Sequence, residues 1–388
     1  LFRREEANLR QVRLCDGRAR ATPAEVSSPS GSGWDDARAK PPAPPLIPSP
    51  STLRIDLHTH ILPESWPNLR ERYGYGGFVE LEHVAPSRAR MVVDGRFFRE
   101  IGDNCWDPAR RIDECNRDGV HVQVLSTVPV MFSYWAKPQD ADDLSRLLND
   151  HLAWVVATNP KRFIGLGTIP MQAPDLAVKE LERCVVDLKL AGVQIGTHVN
   201  EWNLDAPELF PIFARAAELG AAIFVHPWEM LAPERMQRYW LPWLVGMPTE
   251  SALAIASLLF GGVLERLPSL RICFAHGGGS FPGILGRLDH GFHARPDLVA
   301  VDNPHPPSQY LGRFYVDSLT HDPDLLRSII RMFGANRVAL GSDYPFPLGE
   351  SPPGAMIDAM TDLSPDERAW LFHRTALEFL NRPLTAFL

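Results

Sequence analysis

Leu53-Arg54-Ile55-Asp56-Leu57-His58-Thr59-His60 is a short alternating run that reads as a β-strand ending in two histidines one residue apart. Residues two apart on a strand project to the same side. His58 and His60 therefore reach one point just beyond the strand's end, the arrangement by which imidazoles grip a divalent metal. Two surface histidines alone would carry no such meaning. Three later apolar runs stop at a potential ligand in the same way: Ile223-Phe224-Val225-His226, Ile272-Cys273-Phe274-Ala275-His276 and Val338-Ala339-Leu340-Gly341-Ser342-Asp343.

Working outward, strands and helices alternate. A helix over 108–117 leads into a second strand over 120–125, and helix 140–158, strand 163–167, helix 175–188, strand 192–196, helix 207–219 and strand 222–226 follow. A Trp-rich loop precedes helix 249–266, strand 271–276, helix 282–292, strand 313–317, helix 323–333, strand 337–343 and a last helix near 365–380. Eight strands, each followed by a helix, predict an α/β chain closed as a (β/α)8 TIM barrel. Functional groups of such a barrel gather at the carboxyl ends of its strands. The ligand-bearing runs are the first, fifth, sixth and eighth strands. The competing fold, an open doubly wound sheet, would carry G-x-G-x-x-G after its first strand; here Gly277-Gly278-Gly279 follows the sixth and reads as a tight turn.

Between the first strand and its helix, residues 74–101 hold Phe78-Val79-Glu80-Leu81, Met91-Val92-Val93 and an Asp94-Gly95 turn, which predicts a small inserted β flap. Residues 1–52, rich in Pro, Ser, Gly and Ala from Thr22 onward, read as a disordered extension, and 53–388 as the barrel.

The 388 residues are 45% apolar, enough for one large core. A net charge of −8, without a basic stripe, argues against nucleic acid and leaves an anionic substrate to be met by local arginines. Five cysteines, odd in number and without C-x-x-C spacing, indicate neither a disulfide framework nor a zinc knuckle and suit a reducing cytosol. The longest apolar stretch, 252–264, is interrupted by Gly261-Gly262 and is too short for a bilayer, so a buried helix and no membrane partner are expected.

His58, His60, His226 and Asp343 offer three imidazoles and a carboxylate, a set that suits zinc and leaves a position for water. Asp56-Leu57-His58-Thr59-His60, the histidines ending strands five and six, and Gly341-Ser342-Asp343-Tyr344-Pro345 together resemble the amidohydrolase superfamily. Two-metal members usually place a lysine or glutamate after the fourth strand, which ends here in Ile195-Gly196-Thr197-His198. One metal is therefore favoured, with His198 left as a candidate ligand for a second. Residues 126–135, 163–172, 192–202, 240–243 and 344–350 are similar to a decarboxylase branch of that superfamily, a resemblance running from about Leu53 to near the end of the chain.

The resemblance implies one Zn2+ per chain on His58, His60, His226 and Asp343, with His276 as the acid/base and Asp343 catalytic as well as ligating. It implies Arg99 and Arg287 on the carboxylates of a small dicarboxylate substrate, and Trp243 and Phe346 packing the carbon chain. The substrate would carry an enamine, so that protonating the carboxylate-bearing carbon gives an iminium able to draw electrons as CO2 leaves. No organic cofactor is then required. The resemblance also implies a homodimer in which Arg287 enters the neighbouring site, and Val93 stands where a lysine is expected in relatives. An amide or lactone hydrolase would use the same site. A catalytically silent barrel recruiting partners through its Pro-rich tail would have lost a ligand, and none of the four is missing.

Overall fold

The computed structural model describes residues 46–388; the extension expected over 1–52 lies, as far as residue 45, outside the described residues. The first barrel strand, β1 (Ile55–Ile61), is buried at every position. It is followed by β2 (Val79–Ala85), β3 (Arg88–Val93) and β4 (Arg96–Gly102), then β5 (Val122–Thr127), β6 (Phe163–Gly167) and β7 (Gly192–Gly196). A two-residue ribbon, β8 (His198–Val199) with β9 (Trp202–Asn203), precedes β10 (Ala222–His226), β11 (Arg271–Phe274), β12 (Tyr315–Asp317) and β13 (Val338–Ala339). Eight strands form one parallel sheet in the order β1-β5-β6-β7-β10-β11-β12-β13. The seam closes through Leu57 N to Leu340 O, Asp343 N to His58 O and His60 N to Tyr344 O, each 2.8 Å.

Period-two alternation divides the strand residues between two cores. Ile223 and Val225 pack with Ile212, Phe213 and Ala216 of the helix Phe210–Leu219, whereas Ala222 and Phe224 join Val124, Leu166, Cys273 and Ala339 inside the barrel. Helix boundaries follow local chemistry. Asp107 accepts from Ala109 N ahead of Pro108, and Gly119, at φ 78°, ends the helix Pro108–Asp118. The helix expected over 249–266 is two, Met247–Phe260 and Val263–Arg266, parted at Gly261-Gly262. That expected over 175–188 is Pro174–Glu182 continued by a wide turn, Arg183–Asp187. By length and composition alone the helical run Pro242–Phe260 could cross a bilayer, but 56% of it is buried inside the protein and Glu250 is among its buried residues.

The flap is a three-stranded antiparallel sheet, β2-β3-β4. Asp94 (φ 50°) and Gly95 (φ 72°) both take the left-handed conformation that a two-residue hairpin turn needs, and Asp94 accepts a hydrogen bond from Gly77 N. Val79, Ala89, Met91 and Ile101 bury one face of the sheet against Leu62, Trp106, Ala141 and Leu144. Val93 packs at the edge of the same cluster.

Candidate metal and substrate site

The two histidines of β1 lie at a break in the strand pairing: the register against β5 shifts between Asp56 and Thr59. Such a bulge re-aims side chains where simple alternation would not suffice. Asp56, fully buried, holds the bulge to the last strand, accepting from His58 N (3.3 Å), Ser342 N (3.0 Å) and Ser342 Oγ (2.5 Å). Burial raises its pKa to about 7, with the Ser342 hydrogen bond opposing. Arg111, also fully buried, donates to His60 O (2.6 Å) and Thr59 Oγ1 (3.1 Å) and fixes the other side of the strand.

Around this frame the four expected ligands converge. One ligand atom from each of His58, His60, His226 and Asp343 lies within 4.8 Å of the others. His58 Nε2 and His60 Nε2 are 3.2 Å apart, and Asp343 Oδ1 is 3.0 Å from His60 Nε2 and 3.5 Å from His58 Nε2. Each imidazole has its other nitrogen against an acceptor: His58 Nδ1 on Asp317 Oδ2 (2.7 Å), His60 Nδ1 on Thr127 O (3.0 Å), His226 Nδ1 on Pro227 O (2.9 Å). Donation from Nδ1 leaves three Nε2 lone pairs facing one another. His226 Nε2 is buried with no hydrogen-bond partner in the protein. Converging lone pairs and an orphaned nitrogen beside a carboxylate fit a divalent cation.

The electrostatics agree. Burial works to raise Asp343, but the hydrogen bond with His60 and the charges of His58, His60 and His226 outweigh it and hold the carboxyl well below the ordinary range. Burial, with the neighbouring histidines, depresses His226 strongly. His58 is raised despite its burial, chiefly because Asp317 holds its proton.

His276 lies two residues past β11 in the left-handed conformation (φ 58°), its ring centroid 5.0 Å from that of His226 and 5.2 Å from that of His58. Its Nδ1 is buried without a partner, and it stands outside the ligand cluster. Burial, then the charge of His58, lowers its pKa to about 4. Expected at the end of a strand over 271–276, it sits instead on a turn whose next residue, Gly277, donates to Asp317 Oδ1 (2.8 Å). The eighth strand shortens likewise: pairing stops at Ala339, and Asp343 (φ 59°) leaves the ladder to reach the centre. Gly341 is obligatory there, since a Cβ would stand 2.8 Å from that of Asp317 and 2.9 Å from that of His58.

Above the centre opens a narrow cleft walled by His60, His226, Asp343, Arg99, Trp243 and Phe346, with Trp228 and Trp240 alongside. Among the described residues Arg99 is the one arginine or lysine lining it, its guanidinium 4.7 Å from the Phe346 ring and 5.9 Å from that of Trp243. Arg287 is exposed on the helix Phe281–Ala294 and does not line the cleft. His198 is engaged elsewhere, Nδ1 at 2.9 Å from Asn200 O and Nε2 at 2.9 Å from Glu229 O, and is not in the cluster. Asp317, which positions both His58 and the His276 turn, carried a readable signal: it too is a carboxylate closing a barrel strand. The Thr127 and Pro227 carbonyls carried none.

A parallel eight-stranded barrel with three histidines and an aspartate at its strand ends defines a class, and the family model for amidohydrolases matches residues 55–382. The chain belongs to the amidohydrolase family. It is 60% identical over 329 residues, 85% of its own length and 92% of the relative's, to the 2-amino-3-carboxymuconate-6-semialdehyde decarboxylase of Dictyostelium discoideum. To the Caenorhabditis elegans protein of the same name it is 38% identical, covering 84% of this chain and 94% of the relative. Among solved structures, the 5-carboxyvanillate decarboxylase of Novosphingobium aromaticivorans, crystallised with manganese and 4-hydroxy-3-methoxy-5-nitrobenzoic acid, superposes with a TM-score of 0.70 at 21% identity. That match covers 86% of this chain and 97% of the other.

Proposed function

We propose that the protein is a carboxy-lyase that decarboxylates 2-amino-3-carboxymuconate 6-semialdehyde to 2-aminomuconate 6-semialdehyde, a step of tryptophan catabolism by the kynurenine route that diverts flux from quinolinate. The observation that carries it is a complete ligand set beneath a cleft lined by one half-buried guanidinium, that of Arg99, in a chain 60% identical to a decarboxylase of that name. We take the metal to be Zn2+, one per chain, from the three-imidazole, one-carboxylate donor set. When bound, the ion supplies Lewis acidity and lowers the pKa of water beside it.

The chain's own residues do the rest. Arg99 pairs with one substrate carboxylate in the two-point geometry that guanidinium favours, while Phe346 and Trp243 flank it and exclude water. His276, which burial keeps neutral, relays a proton from water to the carboxylate-bearing carbon, and the enamine nitrogen becomes an iminium. The bond to the carboxylate then breaks, its electron pair restores the enamine, and CO2 departs. Asp343 keeps His60 and His58 oriented and its own charge in place throughout.

The second carboxylate is assigned to Arg287 of a neighbouring subunit in a homodimer. Supporting this, the helices Met247–Phe260 and Phe281–Ala294 pack together and present exposed Leu253 and Arg287. We assign the cytosol as the compartment, because the four cysteines among the described residues are free and buried. Incubating the metal-loaded protein with the amino-carboxymuconate substrate should release CO2 stoichiometrically. Hydrolysis of an amide or lactone substrate, with no CO2 released from the amino-carboxymuconate, would replace this reading by a hydrolase.

A further inference from the structure

His198 is half-buried just beyond β7, and both of its ring nitrogens meet backbone carbonyls, Asn200 O and Glu229 O, at 2.9 Å. Carbonyl oxygens only accept, and a neutral imidazole donates from one nitrogen only. A neutral ring would leave one nitrogen lone pair against an oxygen lone pair. The imidazolium alone satisfies both contacts.

The clasp joins two loops at the mouth of the barrel. The Asn200 end is tied to Tyr134, whose carbonyl accepts from Asn200 Nδ2 (3.0 Å) and whose hydroxyl accepts from Gly196 N (2.9 Å). At the other end Glu229 takes a left-handed φ of 59°, costly for a residue with a side chain, directly after the cleft-lining Trp228. The Trp228 ring meets Phe98 of the flap edge-on at 6.0 Å, so this backbone sets where flap and cleft wall touch. The ionisable groups facing His198 are Glu229, on the clasped loop, and Glu250, buried on the helix Met247–Phe260, where its Oε1 accepts from Leu231 N (2.6 Å). Burial opposes the charge on His198, but the two carbonyls and then these carboxylates raise its pKa.

We propose that His198 is a positioning residue and a proton-sensitive clasp: doubly protonated, it pins the backbone at Glu229 and holds Trp228 against the cleft, and deprotonation loosens that wall and weakens substrate binding. The functional half of the proposal rests on the cleft being the substrate site.

The direct test is histidine ring nitrogen NMR on the metal-loaded protein, with His198 assigned by its loss in His198→Gln. Both nitrogens should carry protons at pH 7, with deprotonation above the ordinary histidine range. Over the same interval, amide exchange of 228–231, corrected for intrinsic rates, should increase. The substrate KM should rise about tenfold with kcat held, the size expected for one charge-assisted hydrogen bond. His198→Gln should show that higher KM at every pH, lack the limb and keep its metal. A ring neutral at pH 7, or a variant with unaltered KM and exchange, overturns the proposal. Should the variant not fold, the wild-type NMR and exchange titrations decide. If the wild type fails to turn over the amino-carboxymuconate, the assignment of the cleft falls, while those two titrations still judge the clasp.

Discussion

Replacing Asp317 by asparagine changes almost no volume, yet it should cripple the metal centre through the tautomer of His58. Asp317 Oδ1 accepts from Gly277 N (2.8 Å) and Leu319 N (3.1 Å), while Oδ2 faces His58 Nδ1 at 2.7 Å. Two backbone donors dictate which end of an asparagine amide is the oxygen, so its NH2 must face His58. That contact works only if His58 Nδ1 accepts, which places the ring proton on Nε2, the atom required for the metal. Losing a charge-assisted hydrogen bond costs about 1.5–3 kcal/mol, or about ten- to hundredfold in affinity, the range found for outer partners of metal-ligating histidines. The assay is competition with a chromophoric chelator for zinc, with the melting temperature of the metal-free variant as a check on folding. A folded Asp317→Asn protein that holds zinc as tightly as the parent would refute the tautomer argument.

Changing His276 to Ala should leave the metal bound but reduce turnover about 10²- to 10⁴-fold; metal analysis of the variant showing parallel loss would make His276 a ligand. Mixing inactive Arg99→Ala and Arg287→Ala chains should recover about a quarter of the parent activity once subunits exchange, because half the dimers then hold one intact site. No recovery, with exchange verified, would place both arginines in their own chain's site. His151, whose pKa burial lowers to about 4, should withdraw stability as pH falls from its ordinary value near 6.5 toward 4, since the unfolded chain takes up the proton first. Urea unfolding at pH 7 and 4.5 should show a loss about 2–3 kcal/mol larger in the parent than in His151→Gln; equal losses would contradict it.

The barrel was legible because strand and helix periods differ and every strand run ended sharply. The four-residue cluster was legible because three of those ends, the first, fifth and eighth, carried its donors. What sequence could not show is how the ends bend. Alternation alone placed His58 and His60 on one side, yet the β1 register slips between Asp56 and Thr59. The eighth strand read as continuous to Asp343, but its pairing stops at Ala339, because Asp343 must turn inward past Gly341. The flap was visible in its Asp94-Gly95 turn, whereas β4 (Arg96–Gly102), with only Ile101 fully buried, lacks the apolar alternation that marks a strand. His198 was ambiguous for a simpler reason: whether a histidine binds metal depends on what its nitrogens already hold, here two carbonyls, one of them 31 residues away. Arg99 could be placed through the resemblance; its partial burial and its aromatic neighbours emerge only when the flap packs over the barrel.

The central claim is a single metal, held by His58, His60, His226 and Asp343, that is required for loss of CO2. Its most direct test is to strip the protein with a chelator, add zinc in measured fractions of an equivalent, and follow labelled CO2 from the carboxyl-labelled substrate. Release should rise linearly and level off at about one equivalent per chain, as one set of four protein ligands for a single ion requires. Full activity in the stripped protein, or a plateau only at two equivalents, would contradict the account.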